Sequence, residues 1–337
     1  MRNSIRKARF LIIVLVFAVI LSGQSMFAAS AQESEVYIGG MPAGFTMGLG
    51  GAQIVGMCEI LTDNGETVSP AKQAGLMIGD IICKYAGIEI CSAEDIDQAL
   101  ALQNEKSTEI SVSRDGERFN TKICPAKDRT SNKYKLGILI RDSVSGIGTV
   151  TYIEKSSLRF GSLGHAVSDD KGNPMPLSSG SIYSCSIVNV VRGERGKAGE
   201  LKGLFVGEKG IASAETNCDA GIFGNFSAEY DFSTLRSVKT SDDAQPGKAS
   251  IYTTVDGISP KEYTVSIIKV DEGNRQNKNF VLKVTDRELL AATGGIVQGM
   301  SGSPIIQAGK LIGAVTHVFL NDPTRGYGIA IENMLGN

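Results

Sequence analysis

The sequence predicts a mainly β protein in two parts, a smaller α+β unit followed by a longer region built from strands alone. Three observations lead there. Forty glycines stand against nine prolines, with no tryptophan, a balance suited to many tight turns between short strands. From Glu35 to Pro125 the order is strands, one amphipathic helix, then strands. Beyond Lys133 short apolar runs alternate with glycine-rich turns, and helical periodicity is slight until the last residues, which is the spacing of a β-barrel or sandwich. The 337 residues suffice for two domains, and 42% hydrophobic against 21% charged residues excludes a disordered chain. A formal net charge of −2 gives no electrostatic footprint for nucleic acid.

Residues 1–31 read as a secretory signal or signal anchor. Arg2, Arg6, Lys7 and Arg9 precede an apolar run from Phe10 to Leu21, and the small residues Ala29-Ser30-Ala31 follow. The run is short for a membrane span, which needs roughly 20 residues. The expectation is a protein that works outside the cytoplasmic membrane. Six cysteines, Cys58, Cys83, Cys91, Cys124, Cys185 and Cys218, include no C-x-x-C pair, and there are only two histidines. A structural zinc site is therefore not expected, and buried free thiols are preferred to a disulfide framework.

Residues 35–126 form the first expected domain. In Ser69-Pro70-Ala71-Lys72-Gln73-Ala74-Gly75-Leu76-Met77-Ile78-Gly79-Asp80-Ile81-Ile82, a helical turn ends at a glycine and passes into a buried strand. Ser92-Ala93-Glu94-Asp95 is a variant capping box, and Ile96, Ala99, Leu100 and Leu102 give the helix behind it an apolar face. The alternation in Glu109 to Arg114 and the turn at Asp115-Gly116 predict a hairpin. These motifs, with Ala86-Gly87-Ile88-Glu89-Ile90, resemble a PDZ domain. The resemblance implies binding of a peptide or chain end by strand addition. The best match to its carboxylate-binding loop is Phe45, Met47, Gly48 and Leu49. Residues 127–135 follow as a polar linker. The stretches from Val238 to Ala249 and from Asp271 to Asn279 are expected to protrude as loops.

The chemistry of residues 136–337 gathers near their end. Gly299-Met300-Ser301-Gly302-Ser303-Pro304 leads into the strand Ile305 to Gln307, a turn at Ala308-Gly309-Lys310 and a second apolar strand. A nucleophilic serine needs exposure, a glycine-framed turn and nearby N–H groups for the developing oxyanion. This loop resembles the nucleophile loop of chymotrypsin-like peptidases. On that match Ser301 is the nucleophile and the N–H groups of Gly299 and Ser301 form the oxyanion hole. A general base must come from His165 or His317. His317 lies in a strand and reads as structural, whereas His165 sits in a glycine-framed turn. Asp169, Asp170, Asp219 and Asp286 are the candidate carboxylates, and Asp286 gives the chymotrypsin order His, Asp, Ser.

Leu136 to Ile153, Phe160 to His165, Gly294 to Gln307 and Thr316 to Glu332 together resemble the stage IV sporulation protein B peptidases. The resemblance implies a PDZ domain followed by a chymotrypsin-like double β-barrel with His165, Asp286 and Ser301 as its triad. It implies no cofactor and no metal. It also implies a membrane-anchored regulator of an intramembrane protease as substrate, cut in the space between the two forespore membranes to activate a late sigma factor. Met300 replaces the aspartate of the trypsin-type loop, so activation through a new N-terminus is not expected. A Ser–Lys tail-specific peptidase using Lys310 or Lys283 and an inactive PDZ adaptor are the alternatives.

Overall fold

The structure is a computed structural model that describes residues 34–103, 107–169 and 172–337; the expected export signal lies outside them. Strand β1 (Glu35–Ile38) leads into β2 (Pro42–Met57), and a helical turn, α1 (Pro70–Gln73), precedes β3 (Ile81–Tyr85). Helix α2 (Ala93–Gln103) and the hairpin of β4 (Thr108–Arg114) and β5 (Glu117–Ile123) follow. Strand β6 (Ile138–Glu154) then runs back antiparallel to β2. After it come β7 (Arg159–Ser162), β8 (Ser179–Val191), β9 (Glu200–Val206), β10 (Ala212–Cys218) and β11 (Gly221–Phe226). The last part holds β12 (Gly247–Thr253), β13 (Lys261–Val270), β14 (Phe280–Val284), helix α3 (Arg287–Thr293), β15 (Pro304–Gln307), β16 (Lys310–Val318) and β17 (Arg325–Ala330).

The expected mainly β architecture with two barrels is present. Strands β6, β7, β11, β10, β8 and β2 pair in that order, and the β2–β6 pairing closes the ring. Strands β12, β13, β14, β17, β16 and β15 close the second barrel. Each barrel has its own apolar core, and a further cluster joins them. That cluster packs Val36, Ile38, Tyr152 and Phe223 against Ile306, Leu311, Ala314 and Ile329, while the Tyr152 hydroxyl donates to the Met334 carbonyl at 3.0 Å. Closure of both rings removes the sheet edges that would otherwise invite aggregation.

Outside the barrels stands a lobe of β3, β4, β5, α1 and α2, completed by the ends of β2 and β6. Its core includes Ile54, Ile82, Tyr85, Ile96, Leu100, Ile110 and Val112. The capping box forms as expected: the Asp95 N–H donates to Ser92 Oγ at 3.2 Å, and the Ser92 N–H donates to Asp95 Oδ2 at 2.8 Å. The Asp115-Gly116 turn has positive φ at both residues, 49° and 87°, matching the twist of the hairpin it closes.

Three expectations of organisation are corrected. First, residues 35–49 belong to the barrels' side of the molecule and not to the lobe. Strand β1 pairs with Tyr152 to Glu154, and residues 43–48 of β2 pair with β6 on one edge and β8 on the other. One strand serves both bodies because it bends at Gly50-Gly51, where the pairing with β6 jumps from Gly48–Ser143 to Gln53–Arg141. A Cβ on Gly51 would lie 2.6 Å from the Ile82 carbonyl oxygen, so the bend needs glycine there. Second, residues 127–135 are no slack linker. Residues 126–127 pair with 134–135, and Asp128 is buried beneath Lys135 and Ser131, whose bonds hold its carboxyl well below the usual range. Third, Val238 to Ala249 protrudes only in part, because Val238 is buried opposite Val36 and Ala244 and Ala249 are buried as well, while residues 245–248 are exposed. None of the six cysteines is in a disulfide, yet only Cys185 is buried, and Cys91 and Cys124 are exposed.

Candidate active site

The Ser301 loop hangs between α3 and β15 and is anchored from below. Ile296, Val297 and Met300 are buried in the second barrel's core, so the position filled by aspartate in trypsin-type loops holds an apolar plug. Gly299 and Gly302 carry φ of 94° and 93°, in the region open to glycine. At Gly302 a Cβ would lie 2.0 Å from the Thr149 carbonyl oxygen.

The first barrel clamps this loop through its carbonyls. Thr149 Oγ1 donates to the Gly299 carbonyl at 2.8 Å, the Thr149 N–H donates to the Ser301 carbonyl at 3.0 Å, and Thr151 Oγ1 donates to the Gly302 carbonyl at 2.8 Å. Turning these carbonyls toward β6 leaves the opposite face of the loop to its amides. Among the described residues the N–H groups of Gly299 and Ser301 have no acceptor, as an oxyanion site requires. Thr149 and Thr151 carry no mark in the sequence that would single them out, since each acts on a loop about 150 residues away.

Ser301 and Ser303 have different fates. Ser303 is fully buried, and its Oγ lies 2.6 Å from the Met300 carbonyl and 2.8 Å from Thr253 Oγ1. Ser301 remains partly open, and its Oγ donates to the Thr316 carbonyl at 2.7 Å. Neither a histidine nor a lysine is bonded to Ser301 Oγ among the described residues.

His165 follows β7 after a turn in which Leu163 and Gly164 take φ of 66° and 70°. Gly164 is packed against Thr316, and Gly302 against Leu163, so the turn lies directly on the nucleophile loop. His165 Nδ1 is 2.8 Å from the Ala166 carbonyl, which can only accept. Nδ1 therefore carries the hydrogen and Nε2 the lone pair, the tautomer a general base needs. Burial lowers the His165 pKa below its ordinary value, outweighing the Ala166 bond that favours the charged form. His317, expected to be structural, projects from β16 so that its ring lies 4.8 Å from that of His165. Its pKa is pushed down to about 4, by desolvation first and then by His165 and Lys278.

The structure does not bring Asp286 to His165. Asp286 is the N-cap of α3, with Oδ1 accepting from the Leu289 N–H at 3.1 Å and Oδ2 from the Thr264 N–H at 3.2 Å. Desolvation tends to raise its pKa, but these backbone donors prevail and hold it below the usual value. An aspartate followed by Arg287-Glu288-Leu289-Leu290 is itself a helix-start signal. Among the described residues no carboxylate bonds either nitrogen of His165. Phe45, Met47 and Leu49, expected in a carboxylate-binding loop, are buried in β2, and Gly48 is paired on both sides. Residues 45–48 are paired on both edges and so have no free backbone edge to offer a ligand. Among the described residues, no three His, Cys, Asp or Glu side chains converge as a metal site, and no helix is long and apolar enough to cross a membrane.

Comparison with known families now bears on this geometry. The family model described as SpoIVB peptidase S55 matches residues 132–335, more than half of the chain. The chain belongs to the SpoIVB peptidase family. It is therefore a serine peptidase of the SpoIVB type. Among curated proteins, comparison finds no match to it. The matched region of this SpoIVB-type peptidase begins after β2, although residues 42–48 complete the first barrel and pair along β6 beside Thr149.

Proposed function

We propose that this SpoIVB-type peptidase is an endopeptidase in which Ser301 is the nucleophile and His165 the general base. The reading is carried by the Ser301 loop, in which the carbonyls of residues 299, 301 and 302 are tied to β6 while two amides are left unspent beside an accessible hydroxyl. Ser301 Oγ must first leave the Thr316 carbonyl by rotation about χ1. It then attacks the scissile carbonyl carbon as its proton passes to His165 Nε2, and the carbonyl oxygen becomes an oxyanion facing the amides of Gly299 and Ser301. Collapse breaks the C–N bond, the proton moves from His165 to the departing amine, and an acyl-enzyme remains. Water attacks that ester with His165 again taking a proton, which returns to Ser301 as the acid product leaves. Each oxyanion donor is worth about 3 kcal/mol in the transition state.

The substrate we propose is a membrane-associated regulatory protein outside the forespore inner membrane, cut to trigger intramembrane proteolysis and late sigma-factor activation. This part follows from the family resemblance together with the basic and apolar N-terminus. We also read the lobe of α1, α2 and β3 to β5 as the PDZ unit. Its strand edge at Gln53 to Met57 is already paired by Ile138 to Arg141, so a partner's chain end would enter by displacing the chain's own segment.

Labelling of the purified protein with a fluorophosphonate tests the core of the proposal. Labelling is expected to vanish in Ser301→Ala and in His165→Ala and to survive in Ser303→Ala. A folded wild type that takes no label counts for an inactive adaptor instead. Labelling that survives His165→Ala but is lost when Lys310 or Lys283 is replaced counts for a Ser–Lys enzyme.

A further inference from the structure

The amides of Gly299 and Ser301 have no acceptor among the described residues, so the loop conformation that presents them gains nothing from their bonds. Groups outside the loop must hold it. Thr149 and Thr151 do so for residues 299–302. The stretch that leads into them, residues 290–298, is held by the hairpin of β8 and β9. Strand β9 folds back on β8 and belongs to neither closed ring. Ile187 and Leu201 of this hairpin are nevertheless buried in the second barrel's core, in one cluster with Val297 and Met300.

The hairpin bonds three separate segments of the second barrel. Ile187 and Gly257 exchange N–H to carbonyl bonds at 2.8 and 2.9 Å. The Gly196 N–H donates to the Leu320 carbonyl at 2.7 Å. The third grip is on the approach to Ser301. Arg192 Nη1 donates to the Ala291 carbonyl, Arg192 Nη2 donates to the Leu290 carbonyl at 3.3 Å, and the Gly193 N–H donates to the Thr293 carbonyl at 2.8 Å. These carbonyls belong to the last turn of α3, where helical donors run out and a cation meets the negative end of the helix. Further along, the Gln298 N–H donates to the Gly199 carbonyl at 2.9 Å and the Leu201 N–H to the Gln298 carbonyl at 2.8 Å, one residue before Gly299. Between these grips the Ile296 N–H donates to the Pro323 carbonyl at 2.8 Å, which ties in the segment that Gly196 holds at Leu320. Glycine permits the approach: a Cβ on Gly294 would lie 2.4 Å from the Gly193 carbonyl oxygen.

We infer that the β8–β9 hairpin is the brace that keeps the Gly299 and Ser301 amides aimed at the substrate carbonyl, with Arg192 as its positioning residue. This rests on the reading of the Ser301 loop given above. Arg192 touches no substrate. Its guanidinium is the one side chain in these bonds, all the others being backbone to backbone, so it is the part of the brace that a substitution removes cleanly. Without it the end of α3 and residues 294–298 loosen, and the two amides spend less time in the geometry that stabilises the oxyanion. The barrel cores do not include Arg192, so the fold itself remains.

The test uses the full chain as Arg192→Ala, Arg192→Lys and Arg195→Ala beside the wild type. Arg195 is an exposed arginine of the same turn that takes no part in the brace. Three quantities are read: the fluorophosphonate labelling rate, the melting temperature, and hydrogen–deuterium exchange of residues 290–303. Arg192→Ala is expected to label about 10- to 100-fold more slowly, the factor that corresponds to a hydrogen bond from a charged group. Its melting temperature should stay within a few degrees of wild type, while the bonded amides of Ile296 and Gln298 exchange about tenfold faster. Methylguanidinium added to Arg192→Ala should restore part of the rate, Arg192→Lys should lie between Arg192→Ala and wild type, and Arg195→Ala should match wild type throughout. A wild-type labelling rate in Arg192→Ala, or slower labelling with no change in exchange, overturns the assignment. A large fall in melting temperature with no rescue by methylguanidinium shows a structural role and overturns it as well. Exchange decides the question even for a wild type that takes no label, an outcome that counts against the peptidase reading and not against the brace.

Discussion

Ser301 and Ser303 stand two residues apart in one loop, and burial assigns them different work. Replacing Ser303 by alanine leaves the Thr253 hydroxyl without a buried partner and removes one of two donors from the Met300 carbonyl, which keeps the N–H of residue 303. The expected cost is about 1–2 kcal/mol, read as a lowered melting temperature with labelling retained. Gly302→Ala should be far worse, because it forces a Cβ against the Thr149 carbonyl at a φ of 93°. A loss of about 3 kcal/mol together with loss of labelling is expected, measured by urea unfolding and by probe reaction. His317 sets a pH dependence. Its folded pKa of about 4 lies below its ordinary value, so the unfolded chain binds the proton first as pH falls. Its contribution to stability is complete above the ordinary histidine value and is lost as pH drops toward 4. Urea midpoints measured between pH 7 and 4 should decline less steeply in His317→Gln.

Among the elements, α3 explains why the most conspicuous aspartate is not beside the histidine. A residue between a strand end and a helix start has its side chain claimed by nearby amides, and Asp286 binds those of Leu289 and Thr264. Asp286→Ala should cost about 1 kcal/mol of stability as a lost cap, with a labelling rate close to wild type. A thermal melt beside the labelling assay separates these effects; collapse of labelling in a fully folded variant would return Asp286 to the catalytic site. Helix α2 is the opposite case, since its capping box is complete within Cys91 to Asp95 and forms as the sequence predicts. Strand β2 was harder to read. Its glycines at 44, 48, 50 and 51 look like a loop, but in the structure they permit close packing along the strand and a sharp bend.

For the whole molecule, the consequence of β2 and β6 running through both the lobe and the first barrel is that the chain cannot be cut between them. A fragment of residues 136–337 would lack the strand that pairs with both β6 and β8 and would leave the first barrel open. It is expected to aggregate or remain unfolded by circular dichroism and gel filtration, whereas a fragment beginning at residue 34 should fold. A well-folded 136–337 fragment with probe reactivity would restore a beads-on-a-string division. The same sharing links any ligand that displaces Ile138 to Arg141 to the strand that carries Thr149 and clamps the nucleophile loop.

The mainly β character, the turns at Gly75, Gly79 and Asp115-Gly116, the α2 cap and the Ser301 loop were all legible in the sequence. Each depends on residues a few positions apart, where periodicity and backbone preference act directly. The placement of residues 35–49, the burial of Phe45, Met47 and Leu49, the Thr149 clamp and the pairing of His165 with His317 were decided by tertiary structure. These contacts join segments roughly 100 to 150 residues apart, and strand register, which no local pattern carries across such a distance, determines which side chains meet.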